Sequence, residues 1–145
     1  MSLEDLYSEI ILDYSKNPQF KKIIENAEEY HGHNSSCGDE ITLYLNEKDG
    51  KILDISFDGH GCIISQASAA MMCEILKGRS VENAKSILEN ILRMSRGEDY
   101  NKEVVEDIEI FEDIKNFPMR VKCFTLSWHT IENFLKNKGA DKWFL

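Results

Sequence analysis

The chain has 145 residues, 42% hydrophobic and 30% charged, with a net charge of −9. That length and balance suit one folded domain with its own core rather than a disordered segment. The acidic surface speaks against nucleic acid and anionic membranes, both of which select basic patches, and no apolar run is long enough to cross a bilayer.

Met1 to Asp5 is acidic and lacks the basic-then-apolar layout of a secretory leader, so a cytoplasmic location is expected. Ser2 is placed to cap a first helix, with Leu3, Leu6, Ile10 and Tyr14 on its apolar side and Asn17-Pro18 as its stop. A short strand is expected at Ala27 to His31, and His31 to Ser36 reads as a loop that delivers Cys37.

Ile41, Leu43 and Leu45 alternate with polar residues, Asp49-Gly50 supplies a tight turn, and Leu53, Ile55 and Phe57 alternate on the return. This predicts an antiparallel hairpin with one apolar face. Its geometry brings Asp39, at one strand's start, close to Gly59 to Cys62, at the other's end.

From Ile63 the period turns helical, through the small residues Ser65 to Ala70 and on to Ile75, with Gly78 as the stop. Ser80 caps another helix bearing Val81, Ala84, Leu88, Ile91 and Leu92, which ends at Arg96 and Gly97. Glu98 to Glu106 reads as a charged connector, and Ile108 to Lys115 as one more short helix. Pro118 opens the final helix, whose stripe is Val121, Phe124, Trp128, Ile131 and Leu135. The expected architecture is α+β, a small antiparallel sheet of about three strands against several helices, over residues 1–136. Residues 137–145 are expected to form a frayed tail, despite the apolar Trp143-Phe144-Leu145.

Four cysteines remain: Cys37, Cys62, Cys73 and Cys123. In a reducing compartment they are metal ligands, reactive thiols or small core residues. Cys73 lies mid-helix beside Met71 and Met72 and reads as core. Cys62 stands at a helix N-terminus, and Cys123 near another with Arg120 and Lys122 beside it. Both placements are expected to lower the thiol pKa. Cys37, Asp39, Cys62 and Cys123 would together make a tetrahedral donor set that selects Zn²⁺ or iron–sulfur iron over Mg²⁺ or Ca²⁺. Their spacing lacks the paired Cys-x-x-Cys of zinc ribbons. On residue chemistry alone, this joint site therefore stands beside the reading of inert core cysteines.

Three local patterns add to this. Cys37-Gly38-Asp39, Gly59-His60-Gly61-Cys62-Ile63-Ile64-Ser65 with Met71-Met72, and Arg120-Val121-Lys122-Cys123 with Leu126-Ser127-Trp128 occur in that order. Together they resemble the U-type iron–sulfur assembly proteins, which include SufU, IscU and the N-terminal domain of NifU. The long segment between Cys62 and Cys123 is most similar to the SufU branch, and Phe117-Pro118-Met119-Arg120 stands where IscU proteins carry Leu-Pro-Pro-Val-Lys. The resemblance implies a SufU/IscU-like fold in which Cys37, Asp39, Cys62 and Cys123 hold Zn²⁺. It also implies that Cys37 accepts sulfur from a SufS-type cysteine desulfurase and passes it to a downstream scaffold or apo-protein. Arg120 matches the family arginine and is expected to support the acceptor.

The alternative within the family is a non-enzymatic scaffold that builds a [2Fe–2S] cluster on Cys37, Cys62 and Cys123. Two departures stand out. The proline usual before the first cysteine is absent from Asn34-Ser35-Ser36-Cys37, and His60 replaces an acidic or amide residue. His31, His33 and His60 are spare candidate ligands.

Overall fold

The computed structural model describes residues 8–16 and 19–143, with the side chains from 139 to 143 left out. The expected Ser2 cap, the first leucines, the Asn17-Pro18 stop and Phe144-Leu145 lie outside the described residues. Helix α1 spans Glu9–Lys16. Strands β1 (Glu28–Asn34), β2 (Asp39–Lys48) and β3 (Lys51–His60) follow. Then come α2 (Ile63–Leu76), α3 (Val81–Arg96), the short α4 (Lys102–Val105), a 3₁₀ helix (Glu106–Asn116) and α5 (Pro118–Trp143). The α+β expectation is met. No helix among the described residues is long and apolar enough to cross a membrane.

The sheet is antiparallel in the order β1-β2-β3. Asp49 and Gly50, with φ of 53° and 79°, make the two-residue connection between β2 and β3. Both central residues of such a turn need positive φ, which its twist requires to match the strands. Leu43 pairs with Phe57 and Leu45 with Ile55, and all four face the core.

One inward position differs from expectation. The pairing slips between Asn46 and Glu47, so Ile52 rather than Leu53 opposes Glu47. Ile52 is fully buried and Leu53 is exposed. The main chain explains the slip. Ile52 donates to Arg79 O at 2.8 Å and accepts from Gly78 N–H at 2.8 Å, which pulls it toward the α2–α3 connection. A bulge absorbs the odd residue.

Two further expectations are corrected. The segment His31 to Asn34 is strand, not loop, because each of its residues pairs with β2. The connection that carries Cys37 is therefore only Ser35 to Gly38. At the other end, α5 continues to Trp143, through most of the expected 137–145 tail. Lys138 explains part of this, pairing with Glu28 at 3.0 Å and Glu47 at 3.3 Å, while its ammonium stands over the Phe134 ring. The region between α3 and α5 also differs in kind. The expected connector includes α4, and the expected short helix is an 11-residue 3₁₀ run that buries Ile108, Phe111 and Ile114.

Helix α5 lies on the inner face of the sheet, where Tyr30 meets Phe134 edge-on at 5.7 Å. Against α2 it is locked by a polar seam: Ser68 Oγ donates to Phe124 O at 2.7 Å, and Trp128 Nε1 donates to Ser68 Oγ at 3.1 Å. Phe124, Trp128, Ile131 and Leu135 are buried as the spacing predicts. Cys73 is fully buried in the same core, and burial pushes its thiol far above the usual range. The seam thus holds the N-terminal halves of α2 and α5 side by side, next to the β1–β2 turn.

The bulge can be checked directly. Ile52→Ala is expected to destabilise the protein by about 2–5 kcal/mol, whereas Leu53→Ala should stay within about 0.5 kcal/mol, both read from chemical denaturation. A pH test concerns Tyr14, whose hydroxyl donates to Glu74 and so ties α1 to α2. That bond, with burial, raises the Tyr14 phenol from 10.0 to about 12. The stabilisation is complete below the unfolded value and is lost as pH rises through the folded one. Tyr14→Phe is expected to flatten the fall of stability between about pH 10 and 12.

Candidate metal and sulfur site

Asp39 is the first residue of β2 and is 1% exposed. Its Oδ1 accepts the backbone N–H of Cys62 at 2.9 Å, while its Oδ2 is buried and has no partner. A buried carboxylate oxygen without a hydrogen bond is costly. A cation beside it would remove that cost.

Gly61 makes the approach feasible. A Cβ there would stand 2.7 Å from Asp39 Oδ1 and 2.3 Å from Ser65 Oγ. Only a residue without a side chain lets the backbone leaving β3 pass this close to the carboxylate.

Cys37 occupies the four-residue turn between β1 and β2 and is exposed. Its N–H donates to Asn34 O at 3.3 Å, and Gly38 follows with a φ of 70°. Cys123 approaches from α5, fully buried. Its sulfur lies 3.3 Å from that of Cys37 and 3.7 Å from Met119 O. The donor atoms of Cys37, Asp39 and Cys123 all lie within 4.8 Å of one another. Two soft sulfurs and one carboxylate oxygen suit zinc or iron and do not suit Mg²⁺ or Ca²⁺.

Cys62 caps α2, as its position before Ile63 predicts. It is adjacent to the triad through its N–H bond to Asp39, and its sulfur interacts with that of Cys123. It is not among the three residues whose donors meet within 4.8 Å. Its side chain makes no cap hydrogen bond that would hold it back.

The expected lowering of the Cys123 pKa is reversed. Burial first, then the hydrogen bond with Cys37 and the nearby charges of Cys62 and Asp39, push the thiol far above its usual range. The physical reason is position: α5 begins at Pro118, so Cys123 lies in the second turn, inside the core and past the free N–H groups. Packing several acidic donors without a counter-charge is what raises such a group.

Arg120 is half-buried in the first turn of α5, one turn before Cys123. His31 and His33 lie on β1 and His60 ends β3; all three are exposed. His31 Nδ1 is 2.9 Å from Thr42 Oγ1. None of the three belongs to the converging donor set. Two contributors had no individual reading in the sequence. One is Gly61, whose absent side chain matters. The other is Asn34, whose Nδ2 lies 3.9 Å from Cys123 Sγ. The run Asn34-x-x-Cys37 carried a signal only for the turn.

Comparison with known proteins identifies the family. The family model described as NifU-like N-terminal domain matches residues 6–133. The chain is 45% identical to the iron–sulfur cluster assembly scaffold protein IscU of Thermotoga maritima, over 94% of the chain and 96% of that relative. It is 38% identical to the zinc-dependent sulfurtransferase SufU of Bacillus subtilis, over 97% of each. A crystal structure of a SUF-system assembly scaffold protein from Fervidobacterium islandicum superposes with a TM-score of 0.87 at 45% identity. It covers 90% of this chain and 97% of that one. The chain therefore belongs to the NifU-like N-terminal domain family, the U-type iron–sulfur cluster assembly proteins.

The Gly61 contact has a measurable consequence. Gly61→Ala is expected to displace the Asp39 carboxylate and to weaken the affinity for added Zn²⁺ roughly 10- to 100-fold relative to the unsubstituted chain, in line with other changes that disturb ligand support. Competition with a chromogenic chelator measures it, and circular dichroism checks that the fold is kept.

Proposed function

We propose that this protein accepts sulfur on Cys37 from the persulfide of a SufS-type cysteine desulfurase and passes it on for cluster assembly, working in the cytoplasm. The observation that carries the reading is the contrast within the donor set. Cys37 is exposed on a turn, while Asp39 and Cys123, which meet it, are buried. An acceptor must be reachable by a partner's cysteine, and the groups that hold it in place need not be.

In this reading Cys37, Asp39, Cys62 and Cys123 would hold Zn²⁺. The ion supplies charge that keeps cysteine sulfur deprotonated at neutral pH. That need is clearest at Cys123, where burial opposes ionisation. Transfer itself is thiol–disulfide exchange. The Cys37 thiolate attacks the terminal sulfur of the desulfurase persulfide. A new S–S bond forms on Cys37, the old one breaks, and the enzyme's cysteine leaves as a thiolate, with no net oxidation. Arg120, one turn before Cys123, would offer positive charge to the resulting persulfide anion. Exposed Ile63 and Met119 flank the ligands in sequence and supply apolar surface for docking. The name and 38% identity of the Bacillus subtilis relative support this reading.

The Thermotoga maritima relative, named a scaffold, supports a second one. There the cargo is a [2Fe–2S] cluster, held through Cys37, Cys62 and Cys123 with Asp39 as the fourth donor.

Two measurements separate the readings. The purified protein is expected to be colourless with one zinc per chain by metal analysis, and Cys37→Ala is expected to abolish stimulation of desulfurase turnover. Undiminished stimulation by Cys37→Ala would remove the sulfur-acceptor reading. A stable visible spectrum after anaerobic reconstitution with iron and sulfide would favour the scaffold.

A further inference from the structure

Asn34 is the last residue of β1, paired with Asp39 across the sheet and 9% exposed. Three of its polar atoms point at the sulfur site. Its Oδ1 accepts the Ser36 N–H at 3.3 Å, which closes an Asx turn. Its backbone carbonyl accepts the Cys37 N–H at 3.3 Å. Its Nδ2 donates to Cys123 Sγ at 3.9 Å. One side chain therefore spans from the turn that carries the exposed thiol to the helix that carries the buried one.

We propose that Asn34 is a positioning residue that sets the Cys37 turn over Cys123 and holds the two sulfurs in register. The Ser35-Ser36 connection contains no proline to restrict its backbone, so its shape depends on the hydrogen bonds it makes. Those bonds converge on Asn34. The amide suits both ends, because its oxygen can only accept and its nitrogen can only donate. Aspartate keeps the acceptor for Ser36 but loses the donor for Cys123. Alanine loses both. This inference deepens the sulfur-acceptor reading and rests on it for its biological purpose, but the geometry it describes needs neither metal nor partner.

The test is made on the metal-free full chain. Equilibration with reduced and oxidised glutathione measures the effective concentration of the Cys37–Cys123 thiol pair, with the disulfide located by mass spectrometry. Asn34→Ala is expected to lower it roughly tenfold, which corresponds to about 1.4 kcal/mol. Asn34→Asp is expected to lower it less. The Ser36 amide resonance should shift in Asn34→Ala and stay near its wild-type position in Asn34→Asp. Alkylation of Cys62, which is not among these hydrogen-bond partners of Asn34, should be unchanged in both. That control separates positioning from general loosening. Wild-type effective concentrations in both variants would overturn the proposal, as would equal changes at Cys62. If Asn34→Ala does not fold, Asn34→Asp decides alone: a wild-type value overturns the proposal and a reduced one supports it. A chain that binds no zinc and takes no sulfur would sink the function proposed above while leaving this measurement to be read on its own.

Discussion

The hydrogen bond from the Cys62 N–H to Asp39 is the constraint on which the site depends. It joins the start of β2 to the start of α2 at 2.9 Å, across 23 positions of sequence. Burying a carboxylate is tolerated only when its oxygens are satisfied or its charge is matched. One Asp39 oxygen is satisfied by the backbone, and the other is buried without a hydrogen-bond partner. The fold therefore fixes one oxygen of the carboxylate and leaves the second without a hydrogen bond. Several features serve that arrangement. The Asp49-Gly50 turn sets the β2–β3 register, the register carries Gly59 to Gly61 past Glu40 and Asp39, and the missing Gly61 side chain leaves room.

The second half of the site arrives by a different route. Cys123 is placed by the packing of α5 on α2 and the sheet, through Ser68, Trp128 and Phe124. These are interactions of large sequence separation, so the hairpin and the α2–α5 pair bring their donors together only once the core has closed. That division explains the chemistry at Cys123. A thiol held by core packing is desolvated and resists ionisation, whereas Cys37, on its exposed turn, meets solvent. A donor set that mixes the two kinds is suited to holding a group firmly on one side and releasing it on the other.

Much of this was legible in the residues. The Asp49-Gly50 turn, the Ser80 cap, the Gly97 stop and the α5 stripe each rest on local rules, and each appears as expected. What was not legible came from contacts between distant segments. The Leu53 bulge depends on main-chain bonds from Ile52 to Gly78 and Arg79. His31 to Asn34 is polar and carries no alternating pattern strong enough to mark a strand; β2 recruits it. The reversal at Cys123 needed the depth of that residue within the helix, which spacing alone does not supply. Of the four residues expected to meet at one site, Cys37, Asp39 and Cys123 bring their donor atoms together, while Cys62 stands beside them, tied to Asp39 through its N–H.

The segment before β1 has an effect of its own. Phe20 O accepts the Phe57 N–H at 2.9 Å, Ser56 Oγ donates to Lys22 O at 2.7 Å, and Lys21 bridges Phe57 in parallel. This short stretch acts as a selvedge along β3, occupying main-chain groups that would otherwise invite another polypeptide. Among the described residues the opposite margin, β1, has no such trim. The margin left without main-chain cover is thus the strand that leads into the Cys37 turn.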